Sequence, residues 1–129
     1  MLTIGAPQVS HGDMTFHRFL KRLARSPHQV LRYQWNGTPL LPSSGAEAAW
    51  ASAAAPASCP YCQAPRRFEL QLLSTLLSVL APSTSAMDWG SVLAFTCRDA
   101  CMQGVAVPAP HGKNVVIYCQ ELAVVLPSA

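Results

Sequence analysis

The sequence predicts an α+β fold, a mainly antiparallel sheet of about four strands with one or two helices packed on it. Three observations predict it. Apolar residues recur at helical spacing early in the chain, at Phe16, Phe19, Leu20 and Leu23. Alternating or β-branched runs follow at 29–35, 66–72, 91–97 and 115–125. Two cysteine pairs, Cys59/Cys62 and Cys97/Cys101, flank two of those runs and can close the domain.

A chain of 129 residues makes one domain, and 50% hydrophobic against 12% charged residues lets it bury a core. The net charge of +3 is too weak to imply nucleic acid by itself. No apolar run reaches the ~18 residues of a membrane span; the richest, 115–126, is interrupted by Gln120 and Glu121. Residues 1–12 lack the charged start and apolar core of a secretory signal. A reducing compartment is therefore expected, where cysteines are thiols or metal ligands. The odd count of 5 cysteines also argues against a complete disulfide framework.

In chain order, residues 1–13 read as an N-terminal tail and 14–126 as the domain. Asp13 can cap a helix whose apolar stripe is opposed by Arg18, Lys21, Arg22 and Arg25, a solvated basic face or, alternatively, the face of a mitochondrial presequence. Ser26-Pro27 ends it, because the residue before proline is pushed out of the α region. Gln29 to Trp35 alternates as a strand, with Leu31, Tyr33 and Trp35 as its apolar face, and Asn36-Gly37 signals a turn. Residues 42–58, rich in Ala, Ser and Pro, read as a variable loop with no apolar stripe to demand a helix. After Cys62 the strand 66–72 places Phe68, Leu70 and Leu72 on one face and Glu69 and Gln71 on the other. Leu72, Leu73, Leu76, Leu77 and Leu80 predict a short helix covering the sheet, ended by Ala81-Pro82, with 83–86 a loop. Asp88-Trp89-Gly90 opens the strand 91–97, with Trp89 expected in the core and Asp88 bonding backbone N–H groups. Residues 102–113 form a loop, and 115–125 is one last strand.

Zinc favours four thiolates in a tetrahedron, usually from two Cys-x2–4-Cys turns. Cys59, Cys62, Cys97 and Cys101 supply that set, provided residues 63–96 fold back as strand, helix and strand. A redox pair at Cys59/Cys62 is the rival, but such pairs sit at a helix start and this one precedes a strand. Buried unliganded cysteines are a further alternative. Cys119 has no partner and reads as a lone thiol; His11, His17, His28 and His111 form no close pair and read as surface residues. No phosphate loop, nucleophile elbow or paired-carboxylate spacing appears, and Glu69, Asp88 and Glu121 are scattered. No enzyme is expected. A binding module is, whether for protein or for RNA through Arg18, Arg22, Arg25, Arg66 and Arg67.

Several motifs together resemble a known family. They are Phe16-x-x-Phe19, Pro27-x-Gln29-Val30-Leu31-Arg32-Tyr33, Pro39-Leu40, Cys59-x-x-Cys62-x-x-x-Arg66-x-Phe68-Glu69-x-Gln71, Asp88-Trp89-Gly90, Thr96-Cys97-x-x-x-Cys101 and Tyr118-x-x-Glu121. In this order they are similar to the C-terminal domain of the programmed cell death protein 2 family. The family also includes the yeast twenty-S rRNA accumulation protein. The resemblance implies a cytoplasmic role, with nuclear shuttling left open. It implies a chaperone that captures a new small-subunit ribosomal protein and guards it until assembly, with no small-molecule substrate and no membrane. The family's longer members carry an N-terminal half, and many a MYND-type zinc finger. This sequence matches neither, so client binding is expected to be incomplete. Gln63 stands where a glycine is common in the family.

Overall fold

The computed structural model describes residues 2–3, 12–52, 56–80 and 87–128. In chain order its elements are β1 (Leu2–Thr3), α1 (Met14–Ala24), β2 (Leu31–Tyr33), α2 (Ser44–Ser52), β3 (Arg66–Leu73), α3 (Thr75–Leu80), β4 (Ser91–Cys97), β5 (Val105–Pro108), β6 (Val115–Tyr118) and β7 (Leu122–Leu126). The main sheet runs β1-β7-β4-β3-β2, and β5 with β6 forms a separate two-stranded sheet. Every pair in the main sheet is antiparallel except β1 with β7. The expected α+β class is therefore found. The residues read as a loose tail include Leu2–Thr3, which pair with Val124 and Val125; residues 4–11 lie outside the described residues.

Helix α1 begins where the sequence places it. Asp13 Oδ1 accepts the N–H groups of Thr15 and Phe16 at 2.9 and 3.1 Å, satisfying donors that the first turn leaves without partners. Its other oxygen accepts both the N–H and the hydroxyl of Ser44 at 2.9 Å. One buried carboxylate thus serves the first turns of α1 and α2. The stripe is only partly sunk: Phe19 is buried, Phe16 and Leu23 are half-buried and Leu20 is exposed.

The two faces of the sheet differ sharply. Cross-strand partners share a face, so the row Arg32–Gln71–Leu93–Val124 lies on one side with Leu73, Ser91 and Leu126. That side is the core, built on Phe68, Leu93, Phe95, Val124 and Leu126 with Leu41, Trp50 and Leu122 packed against them. Fully buried Gln71 has both ends satisfied. It accepts from Leu40 N at 2.8 Å and donates to Leu40 O and Ser91 Oγ, each at 2.9 Å. The other side carries the rows Tyr33–Leu70–Ala94–Ala123 and Leu31–Leu72–Val92–Val125. All of these side chains are apolar or aromatic, and none is buried.

This arrangement corrects several expectations. Phe68 does not share a face with Leu70 and Leu72, because the register shifts between Phe68 and Leu70. The bulge at Glu69 flips the parity, sending Phe68 inward with Gln71 and Leu73. The apolar face read for β2 is exposed, with Tyr33 at 60%. Residues 42–58 are not only a loop: Ser43 caps α2 through its hydroxyl, 3.1 Å from Ala46 N, and Trp50 stacks on Phe95 with centroids 5.5 Å apart. Residues 53–55 lie outside the described residues. Helix α3 starts only after Leu72 and Leu73, which belong to β3, and buries no residue, so it covers little of the sheet. The predicted stop at Ala81-Pro82 and loop 83–86 lie outside the described residues. The supposed loop 102–113 contains β5, and the single last strand is two, parted at Cys119, Gln120 and Glu121.

Trp89 is buried as predicted. Asp88 accepts from the Ser128 hydroxyl at 2.6 Å, where backbone N–H donors were expected. Gly90 is required for space: a Cβ there would collide with the carbonyl oxygen of Pro127.

Candidate metal centre

The cysteine pairs meet because β3 and β4 are antiparallel neighbours with Arg66 opposite Cys97. The start of β3 and the end of β4 therefore lie side by side, and each carries a turn. In the first, Gln63 N donates to Cys59 O at 3.0 Å and Cys59 N to Ala64 O at 2.9 Å. In the second, Ala100 N donates to Cys97 O at 3.1 Å. Each turn has one residue in the left-handed region, Gln63 (φ 63°) and Ala100 (φ 47°).

The four Sγ atoms lie within 4.8 Å of one another. Cys59 approaches Cys101 and Cys62 approaches Cys97, each at 3.5 Å. These separations are far too long for a disulfide, whose S–S bond is about 2.05 Å. They bracket the ~3.8 Å edge of a tetrahedron built with metal–sulfur bonds of about 2.3 Å. The four can hold a metal ion, and the donor set fits one.

Electrostatics point the same way. The N–H groups of Cys62 and Tyr61 aim at the Cys59 sulfur and, with the Cys101 and Cys62 thiols, draw it down to about 6 against the effect of burial. The N–H of Cys101 leads those that lower Cys97. At Cys101 the Gln103 N–H favours the thiolate, yet burial and three neighbouring sulfurs push the thiol up to about 12. At Cys62 the Ala64 N–H favours the thiolate too, but burial with the Cys97 and Cys59 sulfurs raises it. Four thiols this close cannot all ionise alone. A bound dication would supply the missing charge and let all four bind as thiolates.

The segment between β6 and β7 closes over the cluster. Gln120 N donates to Tyr61 Oη at 2.9 Å, and the Arg66 guanidinium donates to Gln120 O at 3.2 Å. The Cys119 thiol contacts Cys101 O at 3.5 Å and remains exposed. Thr96 donates to Glu121 at 2.6 Å, while burial and the nearby Glu121 charge raise Glu69. The Tyr61–Gln120–Arg66 clamp was not predicted; a tyrosine inside a Cys-x-x-Cys turn has no pattern to mark it. His17, His28 and His111 are exposed and His11 lies outside the described residues. No helix starts behind Cys59, since the chain leaves Cys62 for β3. Among the described residues no helix is long and apolar enough to cross a membrane.

Fold and site together define a small α+β domain with a four-cysteine cluster able to hold a metal ion. The family model described as "Programmed cell death protein 2, C-terminal putative domain" matches residues 13–126, and the chain belongs to this family. It is 40% identical over 95 residues to a programmed cell death protein 2-like protein of Mus musculus, covering 72% of this chain and 25% of the relative. The human protein of the same name is 35% identical over 86% of this chain and 29% of its own length. A probable 20S rRNA accumulation protein 4 of Schizosaccharomyces pombe is 32% identical over 84% of this chain and 27% of its own. The chain thus spans about a quarter of the length of these relatives. No solved structure matches it.

Proposed function

We propose that the domain is a non-enzymatic, zinc-fastened binding module that acts in ribosome production by holding an extended segment of a small-subunit ribosomal protein. The observation that carries this reading is the second sheet face, where two cross-strand rows of apolar side chains are half-buried and become exposed at Leu31 and Tyr33 on the edge strand β2. An edge strand offers backbone pairing, and the flanking apolar rows offer side-chain contacts, the two requirements of strand addition. The ribosomal connection rests on the family and on the name of the Schizosaccharomyces pombe relative. Four thiolates in a tetrahedron favour zinc as the metal. The five free cysteines suit the reducing cytoplasm, with nuclear shuttling compatible.

The net charge of +3 gives no general attraction to a basic client, so the chain alone is expected to hold it weakly. Small-subunit ribosomal proteins expressed singly with this chain provide the test, repeated with the remaining portion of a longer relative supplied. One of them forms a soluble complex, tightened by the added portion. The double change Leu31→Glu, Tyr33→Glu weakens capture at least tenfold with zinc content unchanged. Capture of no small-subunit protein in either arm overturns the reading, and full capture by the double variant removes the sheet face from it.

A further inference from the structure

At the end of β3 remote from the cysteines, a cavity of about 300 Å3 opens between α1, the start of β2 and the segment 38–40. Its lining includes three arginines, Arg22, Arg25 and Arg32, with apolar Leu23, Leu40 and Leu73, and among the described residues no carboxylate. Arg22 in the last turn of α1 and Arg25 at its C-cap stand three positions apart and both line the cavity. Arg32 is half-buried and oriented by its neighbours: Nη1 donates to Thr38 O at 3.0 Å and reaches Gln71 Oε1 at 3.4 Å, while Nη2 reaches Gln34 Oε1 at 3.3 Å. Each of these acceptors is neutral. A guanidinium has five N–H donors, so the Nε–H and one Nη2–H of Arg32 stay free. Among the described residues the one ion pair is Arg98–Asp99, far along the chain. Three cations therefore border one concavity without a counterion, and one of them is already oriented by neutral acceptors.

We propose that this cavity is a binding site for a phosphorylated serine or threonine in a peptide segment. A phosphomonoester carries about −1.5 to −2 charges at neutral pH with three strong acceptor oxygens, matching the guanidinium donors in number and sign. The apolar floor suits the methylene and backbone of the modified residue. The lining also favours a peptide over RNA: among the described residues no Phe, Tyr, Trp or His borders the cavity, and single-stranded RNA is held largely by stacking on such rings. The arginines considered for RNA are dispersed as well. Arg66 is engaged at the cysteine end of β3, whereas Arg22 and Arg25 are here.

The test is an NMR titration of the zinc-loaded full chain with a capped five-residue alanine peptide carrying a central phosphoserine. Its serine twin, inorganic phosphate and an oligouridine run in parallel. The phosphopeptide is expected to shift the Arg22, Arg25 and Arg32 side-chain signals saturably and to bind at least tenfold tighter than the serine twin and than phosphate. Arg22→Gln combined with Arg25→Gln weakens it at least tenfold at unchanged thermal midpoint, and Arg18→Gln does not. Tighter binding of the oligouridine at the same signals makes the site one for RNA and overturns the proposal. Absence of saturable shifts with the phosphopeptide overturns it too, as does phosphate binding equally well.

Discussion

At the scale of single residues, Asp13 and Gln63 show how local chemistry sets larger structure. Burial works to raise the Asp13 carboxyl, but the N–H groups of Ser44, Phe16 and Thr15 and the Ser44 hydroxyl outweigh it and hold the carboxyl below 3.8. A lowered folded value means that the stabilisation is complete above 3.8 and fades as pH falls through the lowered value. Asp13→Ala should therefore lower the thermal midpoint by several degrees at neutral pH. The gap from the wild type should stay constant until pH approaches 3.8. Gln63 has the opposite character. Its φ of 63° crowds Cβ against the following carbonyl, which glycine avoids. Gln63→Gly is expected to add about 1 kcal/mol, read from urea unfolding of the metal-loaded protein. A loss of stability would show that the Gln63 side chain makes contacts worth more than the strain.

At the scale of elements, legibility followed periodicity. Helix α1 could be read because a cap and a 3.6-residue stripe coincide, and the cysteine turns because their spacing is itself the signal. Helix α2 could not, since Ala46 and Trp50 are too few to make a stripe and Trp50 earns its place only by stacking on Phe95. The bulge at Glu69 was invisible because alternation continues through it in sequence while parity changes in space. The break at 119–121 was hidden by β-branched residues on both sides. Two substitutions measure these elements. Trp89→Ala should cost about 3–5 kcal/mol, as a large buried ring leaves a cavity. Trp50→Leu keeps an apolar side chain and loses the stack, so about 0.5–1.5 kcal/mol is expected. A near-zero result for Trp50 would detach α2 from the core.

At the scale of the molecule, the sheet has one buried face and one half-buried face, and its β3–β4 pair carries the four-cysteine cluster at one end. A structural zinc site contributes about 10–16 kcal/mol of apparent binding free energy, comparable to or above the ~5–15 kcal/mol net stability of a domain. Metal analysis of reduced protein should return about one zinc per chain. Chelation should then unfold the domain as a whole, seen as coincident loss of far-UV circular dichroism and tryptophan burial. Acidification should release the metal by protonating the thiolates. Cys97→Ser should lose metal and fold together, whereas Cys119→Ser should leave metal content unchanged because that thiol stands outside the cluster. A folded, metal-free Cys97→Ser protein would show that the core alone suffices.

The separation of the two cysteine turns along the chain also has a consequence in time. Cys62 and Cys97 are 35 positions apart. At about 5–20 residues per second of synthesis, roughly 2–7 s pass before the later turn follows the earlier one out of the ribosome. Throughout that interval the nascent chain displays two adjacent thiols with half a coordination sphere. An oxidant that arrives then meets an unshielded pair, whereas in a metal-loaded domain it would meet four sulfurs already engaged. The hazard to this domain is therefore concentrated at its birth, and slower translation between the turns lengthens it.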